Sequence, residues 1–251
     1  MINVRTVVNK PDQQASLLTV SPRKFFRVLV LISVGFTVVS YSWRMLGIYG
    51  LVNSSKLARV MTKFDVNLEN TFPSFYATLI LLLSSFLLAC IAWAASVQKG
   101  EYILHWKWLS AIFLFLATDE MLALHDSLTD YMRRVFHAGG FLFYAWVIPY
   151  AFFVVFVGLM YIRFLAHLPV RIRHLFLLSG ALYVGGALGL EMVVGFLMTS
   201  RISMDSLILL AALEEHTEEL LEMLGIALFI YTLLLYIRMK FGNLVVQLSD
   251  D

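Results

Sequence analysis

Carboxylates and imidazoles stand where an apolar chain has least reason to carry them. One run reads Thr118-Asp119-Glu120-Met121-Leu122-Ala123-Leu124-His125-Asp126. A second sets Glu191 directly behind Gly185-Gly186-Ala187-Leu188-Gly189-Leu190, and a third reads Glu214-Glu215-His216-Thr217-Glu218-Glu219-Leu220-Leu221-Glu222. Such side chains bind cations or carry protons. Carboxylate with imidazole suits Zn, Fe or Mn, whereas carboxylate alone suits Ca, Mg or Mn. The candidate ligands of a divalent metal (Zn, Fe or Mn) are Asp119, His125, Glu191, Glu215, Glu219 and Glu222. The candidates for acid–base work beside it are Glu120, His125 and Asp126. No Walker or Rossmann glycine pattern, no His-Glu-x-x-His and no Glu-x-x-His pair of the di-iron bundle type accompanies them. His125 and His216 are the histidines best placed to join the acids, and their mismatched depths speak against haem.

The elements that must hold these groups are membrane helices. Of 251 residues, 60% are hydrophobic and 14% charged, and the mean hydropathy is +0.81, more apolar surface than a water-soluble core can hide. A net charge of +2 without any Lys/Arg block excludes a nucleic-acid patch, so the expected partners are membrane lipids. The single Cys90 allows no intrachain disulfide. The polar start up to Pro22 lacks a signal-peptide h-region, which makes the first apolar run a retained span.

The expected fold is an all-α, polytopic transmembrane bundle of about six spans, near 25–47, 73–97, 104–126, 141–164, 175–199 and 207–237. Residues 1–24 and 241–251 are cytoplasmic tails in this reading, and 25–240 form the membrane domain. With both termini inside, 12 of the 19 Lys and Arg residues fall in the cytoplasm, clustered at span ends. Trp106 and Trp108 would mark the inner interface, and the protein would sit in the plasma or inner membrane. The outer loop 49–72 carries Leu57, Val60, Met61 and Phe64 at the spacing of a short interfacial helix, or is an ordinary polar connection. Asn53-Ser54-Ser55 fits a glycosylation sequon.

At 1.5 Å per residue, Glu120, His125, Glu191, Glu219 and Glu222 all lie between roughly 18 and 28 Å from the inner interface, although their spans alternate in direction. On the last span Glu214, Glu215, Glu218, Glu219 and Glu222 share about 140° of arc. On the third, Asp119, Asp126 and Asp130 would form one line with His125 beside it. Gly185 and Gly189, spaced as Gly-x-x-x-Gly, would admit a neighbouring helix near Glu191. An ionised carboxylate at mid-bilayer costs about 2.5–3.5 kcal/mol, so these acids need water, protons, basic partners or a cation. A charge network drawing on Arg44, Arg133, Arg134 and Arg201 is the structural alternative.

The run from Phe115 to Glu120 with His125-Asp126, the stretch Gly186 to Glu191, and Glu218-Glu219-Leu220-Leu221-Glu222-Met223-Leu224-Gly225 together resemble an uncharacterised group of bacterial polytopic membrane proteins. The similarity runs from about Pro73 onward, and Asp126 stands where that group is expected to carry glutamate. The resemblance implies a bacterial membrane setting and no established activity. Three functions fit the residues: a metal-dependent enzyme acting on a lipid or other hydrophobic substrate, a proton- or cation-coupled transporter, and a non-enzymatic membrane assembly or scaffold protein.

Overall fold

The computed structural model describes residues 21–51, 54–137 and 139–242, together with the backbone but not the side chain of Asp126. The tails 1–20 and 243–251 and the sequon residue Asn53 lie outside the described residues. The fold is all-α. Helices run α1 Pro22–Ile48, α2 Ser55–Met61, α3 Phe72–Val97, α4 Ile103–Leu122, α5 Leu124–Phe136, α6 Val147–His167, α7 Val170–Val184, α8 Glu191–Thr199 and α9 Met204–Phe241. A π-helical turn, residues 185–190, joins α7 to α8 into one 30-residue helix. Among the described residues five helices are long and apolar enough to cross a membrane, six if α4 and α5 count as one bent span.

Local chemistry sets the boundaries. Thr71 and Ser203 accept hydrogen bonds from the first-turn N–H groups of Ser74 and Ser206 and so cap α3 and α9. Pro22 and Pro73 stand in the first turns of α1 and α3, where a missing N–H costs nothing. Within 49–72 the structure forms α2 followed by a single 3-10 turn, residues 62–64.

The third span departs from the expected 104–126. The chain breaks at Ala123, whose φ is +46°, and the stretch after it turns by 98° from α4. Residues 124–136 mix apolar and polar side chains on opposite faces, so they make an amphipathic helix and not a continued span. The expected line of Asp119, Asp126 and Asp130 therefore does not exist, because it assumed one straight helix. Asp119 stabilises the corner: its Oδ1 accepts the His125 backbone N–H at 3.0 Å.

Packing is that of a membrane bundle. Helix α1 turns Ser33, Thr37 and Ser40 inward while Leu31 and Val38 remain exposed, the reverse of a soluble helix. At one end Trp106, Phe164, Phe176 and Phe229 form an aromatic core. Trp108 is exposed as an interfacial anchor would be, but Trp106 is buried in that core.

The close helix contacts also fall elsewhere than expected. No atom lies within 4 Å of a Cβ built on Gly185 or Gly189. A Cβ on Gly186 would meet the Glu218 carbonyl oxygen of α9 at 2.9 Å, and one on Gly225 would meet the Tyr183 nitrogen of α7 at 2.8 Å. The π turn rotates the glycine face, so the pair that admits the neighbour is Gly186 on one helix and Gly225 on the other.

Candidate functional site

Helices α4, α6, α7–α8 and α9, with the segment 66–69, enclose a cavity of about 710 Å³. Its lining divides sharply. At one end stand Glu69, Asp119, Glu120, Glu191, Glu214, Glu215, Glu218, Glu219 and Glu222, with His125. The other end is apolar: Leu109, Ile112 and Phe113 of α4, Val154 and Val157 of α6, and Phe176 and Phe229 behind them. Among the described residues no lysine or arginine lines this space.

Every candidate drawn from the sequence whose side chain is described therefore reaches one cavity: Asp119, Glu120, His125, Glu191, Glu215, Glu219 and Glu222. Asp126 follows His125 on α5, and its side chain lies outside the description. His216 is not part of the lining. It is 3% exposed, its Nδ1–H donates to Ala212 O at 2.7 Å, and its Nε2 meets Ser40 Oγ at 2.9 Å. Ser40 Oγ in turn accepts the Val66 N–H at 3.1 Å. With Nδ1–H donating, Nε2 accepts the Ser40 hydroxyl proton, so this histidine ties the cavity-lining segment to α1 and α9.

The tightest acidic group is one that sequence reasoning did not single out. One carboxylate oxygen from each of Glu191, Glu214 and Glu218 lies within 4.8 Å of the others. Glu214 is 7% exposed, both its oxygens are buried, and the neighbour with which they can share a proton is the Glu218 carboxyl. A buried carboxylate without a donor costs several kcal/mol unless a proton or cation compensates it. The signal available beforehand was the i, i+4 spacing of Glu214 and Glu218 on α9; their proximity to Glu191 depends on the Gly186 contact and on the register of the π turn.

Other contacts position these acids. Trp146 Nε1–H donates to Glu191 Oε1 at 3.2 Å. The Tyr150 hydroxyl donates to Asp119 Oδ1 at 2.8 Å, and His125 Nδ1 lies 3.2 Å from Asp119 Oδ2. Asp119 thus holds the His125 ring as carboxylates hold metal-ligating histidines. Tyr144 precedes α6, and burial together with the charges of Glu191, Glu214, Glu215 and Glu218 pushes its phenol up to about 12. It stays a hydroxyl donor near neutral pH. Arg44 of α1 is near enough to Glu215 for their charges to interact, although it does not line the cavity.

The model of a domain of unknown function, DUF8692, matches residues 25–237. The chain belongs to this family. No curated protein and no solved structure matches it. The matched stretch contains all cavity-lining residues and extends upstream of the Pro73-onward resemblance to include α1.

Proposed function

We propose that this DUF8692 protein is a membrane-embedded, metal-dependent enzyme acting on a lipid or other hydrophobic substrate. The observation that carries the reading is Glu214: a buried carboxylate that faces Glu191 and Glu218 in a cavity whose described lining holds no lysine or arginine. A divalent cation among these three would offset the mutual repulsion of carboxylates whose oxygens lie within 4.8 Å of one another. The three carboxylates alone form an oxygen set suited to Mg, Ca or Mn, and His125 would extend the choice to Zn or Fe; Mn suits both sets.

The apolar end supports the hydrophobic substrate. From Glu214 to Phe229 the cavity follows α9 for about 22 Å, more than one leaflet of a roughly 30 Å hydrocarbon core. An acyl chain laid along it would bring its polar end to the acids. There the cation would polarise the bond or activate water, with Glu120 or Glu222 as general base and His125 oriented by Asp119. Cation- or proton-coupled transport is the second reading, favoured by the acidic ladder from Glu214 to Glu222, about 12 Å long.

Elemental analysis of washed, detergent-purified protein is the test. The expected result is near-stoichiometric metal in wild type and its loss in the Glu214→Gln, Glu218→Gln double variant. Chelator should lower the unfolding temperature of wild type only. A metal-free wild type indifferent to chelator sinks the proposal; if instead Arg44→Met is the damaging change, the charge network replaces it. Cation flux in proteoliposomes, abolished by the same double variant, would select the transporter.

A further inference from the structure

Away from the acidic cavity, α1, α7 and α9 enclose a second cleft of about 590 Å³. Three arginines line it, one from each helix: Arg23, Arg171 and Arg238. No acid lines it, and among the described residues none of the three forms an ion pair. Arg23 and Arg171 stand in the first turns of α1 and α7, so the positive ends of two helix dipoles lie beside them. Three guanidinium groups gathered in one cleft, with no acid beside them among the described residues, repel one another and favour an anion. Guanidinium recognises phosphate oxygens bidentately, which a simple halide cannot reproduce.

The surroundings select the kind of phosphate. Tyr231, Leu235 and Met239 complete the lining on the α9 side, and Met239 and Val170 are more than half exposed next to the arginines. A ligand here touches charge with its head and apolar helix surface with the rest of its length. Basic clefts between membrane helices on the cytoplasmic side bind anionic lipid headgroups in this way, and the positive-inside distribution assigns all three arginines to that side.

We propose that Arg23, Arg171 and Arg238 form a binding site for the phosphate of an anionic phospholipid. The site is independent of the metal proposal, shares no residue with the acidic cavity and stands or falls by itself. Native mass spectrometry of the purified full-length protein, titrated with phosphatidylglycerol, phosphatidylcholine or inorganic phosphate, tests it. Phosphatidylglycerol should bind with defined stoichiometry and phosphatidylcholine should not. At about fivefold per arginine, the triple Arg→Gln variant should bind phosphatidylglycerol roughly a hundredfold more weakly. Arg163→Gln, outside the cleft, should leave binding unchanged. Unaltered affinity in the triple variant overturns the proposal, as does equal binding of both lipids. Displacement of the lipid by inorganic phosphate at comparable concentration overturns the lipid assignment in favour of a free anion. Should the triple variant fail to fold, the single Arg→Gln variants carry the test, and no change in any of them counts against the site.

Discussion

Asp119 and Glu214 are both buried acids, yet they differ in what surrounds them. Asp119 has a backbone N–H, a phenol and an imidazole within hydrogen-bonding distance, while Glu214 has other carboxylates. Substituting each should therefore have opposite consequences. Asp119→Asn weakens the cap on the α4–α5 corner and the orientation of His125, and should destabilise the protein by about 1–3 kcal/mol in thermal unfolding. Glu214→Gln removes one uncompensated charge and should raise the stability of metal-free protein while lowering that of the metal-loaded form. The Trp146 indole offers a direct readout, because it donates to Glu191. Cation binding should shift an emission component that disappears in Trp146→Phe; an unchanged wild-type spectrum on metal addition would place the cation elsewhere. Ser40→Ala should cost a further 1–3 kcal/mol or so, since it strands both the Val66 N–H and His216 Nε2.

At the scale of elements, the approach of α9 to the π turn decides whether Glu191 can meet Glu214 and Glu218. Gly186→Ala and Gly225→Ala place a methyl against backbone at 2.9 and 2.8 Å, so the helices must part. Each should cost on the order of 1–3 kcal/mol, whereas Gly185→Ala and Gly189→Ala, with open space around them, should be tolerated. Equal unfolding temperatures for all four variants would remove the close approach as the device that assembles the cluster. These elements also mark what the sequence shows and what it hides. The acidic stripe of α9 is legible because charged residues recur at helical spacing inside an apolar run. The register of Glu191 is not, since a π turn shifts every later side chain and carries no composition of its own. The Ala123 corner escapes for a related reason: the group that caps it, Asp119, lies before the break and reads as part of a continuous helix.

Over the whole molecule, acids gather in the cavity near the start of α9 and arginines in the cleft near its end. Helix α9 alone runs 38 residues, about 57 Å, longer than a roughly 30 Å hydrocarbon core requires. Reporter fusions after residues 100 and 168 should read cytoplasmic, and fusions near 60 and 203 extracytoplasmic. The inverse pattern would put the arginine cleft in the outer leaflet. The all-α class and the apolar helices follow from hydropathy, because continuous apolar runs of about 20 residues suit helical spans, whereas barrel strands would alternate apolar and polar residues. Orientation rests on a charge bias that no contact inside the protein records.

The absence of lysine and arginine from the described lining of the cavity has a consequence for traffic through it. Beside nine acids the described wall offers His125 as its one basic side chain, so electroneutrality would oblige a departing cation to be replaced largely by other positive charge. If the proposed metal binds, metal and proton would be exchangeable occupants of one space, and loading should expel protons in a countable ratio. Calorimetry in two buffers of different ionisation enthalpy reads that ratio directly. A value near two or above is expected for a divalent ion entering this chamber, with release quickening as the outer solution is acidified.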